Sequence, residues 1–207
     1  MAVKPSPGKR GSKDSKGSLV ELVIIVVVAL GLALGIQQFV VKPFRIPSES
    51  MEPTLDVGQR VLVDRVSPRF SDPSRGDVIV FKPPKGAENE QCGGHVTAQQ
   101  ACTAPTKARS DMNFIKRVVG MPGDHLKVIN GQVYINGKLK DPFKVKPLQC
   151  DTCDLPREIT IPPGHFFMMG DNRGNSDDSR VWGPIPKDWV IGGAFFTYWP
   201  PNRIGPL

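Results

Sequence analysis

The sequence predicts a mainly β protein, an antiparallel-sheet domain preceded by one N-terminal transmembrane helix. Three observations carry that expectation. Residues 19–41 form a long apolar run. The remainder breaks into short apolar segments punctuated by many of the chain's 21 glycines and 21 prolines, a pattern of strands and turns rather than long helices. Within it, Leu126 to Ile129 and Gln132 to Ile135 flank Asn130-Gly131, the dipeptide best suited to a two-residue hairpin turn. The domains read as a basic cytoplasmic tail over 1–18, a transmembrane helix over 19–41 and an extracytoplasmic domain over 42–207.

The formal charge of +7 invites a nucleic-acid reading, but its placement argues against one. Lys4, Lys9, Arg10, Lys13 and Lys16 against Asp14 put more than half of the excess into the first seventeen residues. A basic Gly/Ser-rich segment without apolar periodicity reads as a solvated cytosolic arm. No nucleic-acid partner is expected.

The apolar run explains the arm. From Leu19 to Val41 the strongly polar residues are Glu21, Gln37 and Gln38, close to the two ends. At about 1.5 Å per residue the run spans roughly 34 Å, enough for a hydrocarbon core of about 30 Å. Basic residues before it, and only Lys42 and Arg45 just after it, place the amino terminus in the cytoplasm. A cleavable signal peptide is the rival reading, because Ala29-Leu30-Gly31 and Ala33-Leu34-Gly35 have the small-x-small form of a cleavage site. The apolar character resumes at Phe39 to Val41, beyond both sites, which favours a retained span. A buried core helix is disfavoured, because a helix of this length in a water-soluble protein normally carries a polar face and this run has none.

In chain order, Val57 to Val66 and Asp77 to Phe81 read as strands, the second after the Arg75-Gly76 turn. Phe114 to Val119 is a third, closed by Met121-Pro122-Gly123-Asp124. The Asn130-Gly131 hairpin follows, and Asn136-Gly137 repeats the device. Residues 82–111 read as an extended polar loop and 139–165 as turn-rich. Strand-like runs return at Phe166 to Met169, Val190 to Gly193 and Phe195 to Trp199. The aromatics of this last part, Trp189, Phe195, Phe196, Tyr198 and Trp199, suit either the core or a lipid interface.

Four cysteines outside a cytoplasm are expected to be oxidised. Three pairings are open, and local pairing joins Cys92 to Cys102 and Cys150 to Cys153. A zinc site would want compact double-Cys spacing on both arms, and only Cys150/Cys153 has it. A thioredoxin-like use of that pair lacks a βαβ context. No metal and no cofactor is expected.

Ser48 and Ser50 lie in Pro47-Ser48-Glu49-Ser50-Met51-Glu52-Pro53-Thr54-Leu55, between prolines that disfavour regular helix. Such a segment reads either as a polar turn or as a rigid mount for a nucleophilic hydroxyl. A serine nucleophile needs a base. His95, His125 and His165 each sit in a loop or turn, and nothing marks one as a catalytic partner. Lysine is the other solution if it is neutral at working pH. In the strand from Phe114 to Val119, Lys116 shares a face with Phe114 and Val118, so desolvation can lower its amine from about 10.4. An edge-strand lysine guarding against aggregation is the competing use.

Several strings occur together and in order: Pro47-Ser-x-Ser50-Met51-x-Pro53-Thr54-Leu55, Arg75-Gly76-Asp77, Ile115-Lys116-Arg117 with Gly120-x-Pro122-Gly123-Asp124, and Gly170-Asp171-Asn172-Arg173-x-Asn175-Ser176-x-Asp178-Ser179-Arg180. In this they resemble the motif boxes of bacterial type I signal peptidases, or leader peptidases, from the span to the carboxyl end. The resemblance implies a Ser/Lys dyad with Ser50 as nucleophile and Lys116 as general base. It implies that the Ser48 hydroxyl and the Ser50 N–H form the oxyanion hole, that Ser176 orients the lysine amine, and that Asp178 and Arg180 form a structural ion pair. The implied fold is a mainly antiparallel β catalytic core with a second β lobe inserted over about 125–162. The implied activity is removal of signal peptides from secretory precursors after small residues, by a single-pass enzyme of the bacterial inner membrane. Its implied partners are those precursors and the lipid bilayer.

Two features depart from the family. Many relatives have two spans and an acidic residue where this chain has Gly174. The loop between Cys92 and Cys102 is not explained by the resemblance. Two rival readings are a membrane-anchored β-sheet binding or assembly protein without chemistry, and a Ser/His hydrolase using Ser50.

Overall fold

The computed structural model describes residues 15–94, 97–140 and 153–207. Residues 1–14 of the basic tail, His95 and Cys150 lie outside them. The chain divides between Gln38 and Phe39 into two units.

The first unit holds α1, Ser15–Phe39, up to Gln38, and the segment Leu19–Ile36 of that helix is long and apolar enough to cross a bilayer. The second unit runs through β1 (Val41–Arg45), β2 (Arg60–Asp64), α2 (Ser67–Phe70), β3 (Val78–Phe81) and β4 (Phe114–Gly120). It continues with β5 (His125–Ile129), β6 (Gln132–Ile135), β7 (Lys138–Leu139), β8 (Leu155–Thr160), β9 (His165–Met169) and α3 (Ser179–Trp182). It ends with β10 (Ile185–Pro186), β11 (Val190–Trp199) and β12 (Gly205–Pro206).

These strands make two antiparallel sheets. The larger has the order β1-β2-β11-β3-β4-β9-β10, with β12 added along β11. The smaller, β7-β6-β5-β8, is formed between β4 and β9 in the chain. The expected mainly antiparallel β architecture is therefore observed.

Side-chain alternation explains why both faces of the large sheet are covered. On β3, Val78 and Val80 join Ile46, Met51, Leu55, Val61, Val63 and Ile115 in one buried cluster. Ile79 and Phe81 point the other way, into a cluster with Val118, Phe166, Met168 and Trp182. A strand buried on both sides reads as an unbroken apolar run, which Val78-Ile79-Val80-Phe81 is. The small sheet buries Leu126, Val128, Val133, Ile135, Leu155 and Ile159 against Val119, Phe167 and Met169 of the large one.

Both Asn-Gly turns adopt the left-handed conformation at both residues, with φ of 46° and 70° at Asn130 and Gly131 and 52° and 77° at Asn136 and Gly137. That is the backbone a two-residue hairpin turn needs. The register follows, with Ile129 opposite Gln132 and Leu126 opposite Ile135.

The expected strand over Val57 to Val66 is shorter, and the two expected runs near the carboxyl end are one continuous β11. Its Gly192 is where β2 comes closest: a Cβ there would lie 2.2 Å from the Asp64 carbonyl oxygen. Four further strands, β1, β8, β10 and β12, were not expected from the sequence.

The 82–111 loop is tied to α3 and to the small sheet. Cys92 and Cys102 form a disulfide within it, the expected local pairing. The Cys102 N–H donates to the Arg180 carbonyl at 3.0 Å, and Arg157 N–H of β8 donates to the Gln99 carbonyl at 3.0 Å. The Cys150–Cys153 pairing has one member outside the described residues.

Candidate active site

Ser50 sits in a single 3-10 turn, Glu49–Met51, entered from Ser48 in extended conformation (φ −136°, ψ 164°). Prolines at 47 and 53 confine the helical piece to that turn. Met51 and Leu55, fully buried in the core cluster, pin it to the sheet. Ser48 stands at the amino-terminal cap without using its hydroxyl as a cap. Its Oγ lies instead 3.4 Å from Ser50 Oγ.

Lys116 is in the middle of β4, only 4% exposed. Its Nζ lies 5.7 Å from the centre of the Phe114 ring, its strand-mate on the same face. Burial pushes the amine down; Asp178 and Asp177 pull it back up, Arg180 presses it down and Asp171 raises it, leaving it at about 8. Ser48, Ser50, Lys116 and Ser176 line one cleft of about 550 Å³, with Pro47, Met112, Asn113, Phe114, Ile115, Asn175 and Asp177.

The segment from Gly170 to Arg180 forms the opposite wall. Asp178 and Arg180 make a fully buried ion pair, Nε to Oδ1 at 2.8 Å and Nη2 to Oδ2 at 2.9 Å. The Gly170 N–H and the Ser176 hydroxyl donate to Asp178 Oδ2 at 3.0 and 2.9 Å. Burial alone would push the Asp178 carboxyl up, but Arg180, Lys116 and the Gly170 N–H bring it below its ordinary value. Asp178 also caps α3 by accepting from the Arg180 N–H at 3.2 Å. Arg180 further donates to the carbonyls of Arg173 and Ser176 at 2.8 and 3.1 Å.

Several residues that hold the cleft together had no individual role in the sequence reading. The Asn172 N–H donates to the Ser50 carbonyl at 3.0 Å, and its side-chain amide to the Glu49 carbonyl at 3.1 Å. Arg117 grips Asp171 with Nε to Oδ1 at 2.8 Å and Nη2 to Oδ2 at 2.6 Å, and donates to the Gly76 carbonyl at 2.7 Å. Thr54 donates to the same carboxylate at 2.5 Å. Arg173, buried, donates to Gly170 and, through Nη1, to Gly131 of the β5–β6 turn at 2.7 Å. Arg75 pairs with Asp124 at 2.7 Å, closing the Met121–Asp124 turn onto the Arg75-Gly76-Asp77 turn. The signal for these contacts was present as motif strings; their pairing across the chain was not.

Neither described histidine reaches the cleft. His125 lies exposed beside Glu158 at 3.5 Å and Thr160 at 3.2 Å, and His165 Nδ1 sits 2.9 Å from the Pro163 carbonyl. Among the described residues there is no cluster of three or more His, Cys, Asp or Glu placed to hold a metal.

A strand lysine and three serines line one cleft that neither described histidine reaches, a hydrolase-like arrangement. The model of the family "Signal peptidase, peptidase S26" matches residues 19–199. The chain is 42% identical to probable signal peptidase I-1 of Synechocystis over 90% of its length and 86% of the relative's. It is 37% identical to signal peptidase I of Leptolyngbya laminosa, covering 98% and 91%, and 31% identical to signal peptidase IB of Staphylococcus aureus, covering 89% and 92%. The chain belongs to the peptidase S26 family of signal peptidases and is a hydrolase of the signal peptidase I type.

Proposed function

We propose that this chain is a membrane-bound serine endopeptidase that removes N-terminal signal peptides from secretory precursors, with Ser50 as nucleophile and Lys116 as general base. One observation carries the reading: the Lys116 amine, all but sealed from water, is held at about 8 in the cleft that Ser50 lines. An ammonium at its ordinary value near 10.4 is almost wholly charged at neutral pH; one at about 8 leaves an appreciable neutral fraction.

The neutral amine takes the Ser50 proton as Oγ attacks the carbonyl before the cut. The resulting oxyanion is met by the Ser48 hydroxyl and the Ser50 N–H, which belongs to the second residue of the 3-10 turn and so has no carbonyl within it to bond. Collapse breaks the C–N bond, and Lys116 gives its proton to the departing amine. Water then attacks the ester as Lys116 takes a proton again, and Ser50 leaves with that proton restored. Ser176, Asp178 and Arg180 position the lysine rather than react.

The membrane part of the reading rests on α1, which would span the bacterial inner membrane once, with its amino end in the cytoplasm and the β domain outside. Eight residues lie between Val41 and Ser50, so full extension keeps the serine within roughly 30 Å of the bilayer. The lipid bilayer is thus a partner and nucleic acid is not. The test is cleavage of a secretory precursor by the parent, Ser50→Ala and Lys116→Ala chains in lipid. Each variant is expected to lose at least about 10⁴-fold in rate while unfolding like the parent. Processing by either folded variant at the parent rate overturns the mechanism.

A further inference from the structure

A second cleft, of about 370 Å³, shares no lining residue with the one at the serine and is lined by Arg65, Arg69, Lys187 and Asp188, with Val190 and Ile191 among its apolar walls. Its position is fixed by the chain itself. The Arg65 N–H donates to the Val40 carbonyl at 2.9 Å, and Val40 directly follows Phe39, the last residue of α1. If α1 spans a bilayer, a group hydrogen-bonded to Val40 is at the headgroup level.

The charges suit that level. Lys187 pairs with Asp72 at 2.5 Å, and Asp188 is exposed on the rim. Asp64 is engaged by the N–H groups of Val66 and Ser67 at 2.8 and 3.2 Å. The Arg69 guanidinium is exposed and has no carboxylate partner among the described residues. Beside it on α2, Phe70 is 84% exposed, an aromatic ring with no packing partner in the core. A cation set next to a projecting ring, both on the short helix that begins two residues after Arg65, matches an amphiphile with an anionic head and an acyl boundary below it.

We propose that this cleft binds the phosphate of an anionic phospholipid headgroup, with Phe70 seated at the acyl boundary. The proposal rests on the membrane-anchored reading above. Binding there would fix the end of β2 and the start of β11 against the membrane, independently of α1.

The test uses the full chain in nanodiscs of phosphatidylcholine alone, or with about one quarter phosphatidylglycerol, read by hydrogen exchange over residues 65–71. Phosphatidylglycerol is expected to slow exchange there at least about five-fold, the weight of one basic residue at an anionic surface. Arg65→Gln with Arg69→Gln is expected to abolish that slowing, and Ser50→Ala to leave it intact. Exchange that is the same in both lipids, or slowing that survives the double substitution, overturns the proposal. Equal slowing by free inorganic phosphate in phosphatidylcholine discs also overturns it, since a soluble anion would then be the ligand. Precursor cleavage by the parent in the same discs separates the two readings: cleavage without headgroup-dependent slowing sinks the lipid site alone.

Discussion

Ser176 donates its hydroxyl to Asp178, Oγ to Oδ2 at 2.9 Å. With its proton committed, the Ser176 oxygen has only lone pairs to offer the cleft it lines with Lys116. A neutral amine can donate one N–H to that oxygen and keep its own lone pair for Ser50. We expect Ser176→Ala to lower kcat about 10–100-fold, the range of a hydrogen bond to a charged or reacting group, with little change in KM. Single-turnover cleavage of a precursor measures it, and an unchanged kcat removes Ser176 from the proposed machinery.

The Lys116 amine at about 8 sets the sign of the pH dependence. The proposed base works when neutral, so kcat/KM should rise about ten-fold per pH unit below 8 and level off above it. Asp177, exposed on the cleft wall, raises that value. Asp177→Asn should therefore move the rise toward lower pH without changing its slope. Stability should follow the same group. The folded value lies below the ordinary 10.5, so burying the charged amine is a full penalty below about 8 that fades as pH climbs from about 8 to 10.5. Lys116→Met, which removes the penalty, should raise Tm at pH 7 by at least about 2 °C while ending cleavage. A flat pH–rate profile, or a lower Tm, contradicts the account.

How much of this was legible depends on whether a contact is local. The Asn130-Gly131 turn and strands β5 and β6 could be read directly, because turn chemistry and register sit within ten residues. The single face shared by Phe114, Lys116 and Val118 followed from period-two alternation. The edge strands were hidden: β8 buries only Leu155 and Ile159 and carries Pro156, and β1 carries Pro43. The grip of Asn172 on Ser50, and of Arg117 on Asp171, joins residues far apart in sequence, so composition and spacing could name the strings but not the partners. The role of the Cys92–Cys102 loop was equally invisible, since it appears only when Cys102 meets Arg180.

The buried ion pair gives a third expectation. Asp178→Asn leaves the Arg180 guanidinium charged and uncompensated where both side chains are fully buried. Breaking such a pair costs about 3–5 kcal/mol, far more than a surface substitution. Chemical unfolding should show that loss, together with loss of cleavage. If stability falls by less than about 1 kcal/mol, Asp178 is not the anchor of this wall.

Ser48 separates chemistry from folding. Its hydroxyl does not cap the 3-10 turn, so Ser48→Ala should leave the unfolding midpoint within the small range of surface changes. As a proposed oxyanion donor it should nonetheless cost about 10²–10³ in kcat. A Tm loss that tracks the activity loss would make it structural instead.

Gly170 tests the packing of the wall against the serine. A Cβ built there would fall 2.2 Å from Ser176 Oγ and 2.4 Å from the Ser50 carbonyl oxygen. The second contact is with backbone, which cannot rotate away, and that backbone is also tied to the Asn172 N–H. Gly170→Ala must therefore push the Ser50 turn and the segment from Gly170 to Arg180 apart. Overpacking of this kind costs about 1–3 kcal/mol. Misplacing reacting groups by about 1 Å costs about 10²-fold in rate, so activity should fall further than stability alone explains. The informative measurement is kcat at a temperature where the variant is fully folded by circular dichroism. A folded Gly170→Ala chain that cleaves at the parent rate would mean that the serine's position does not depend on this contact.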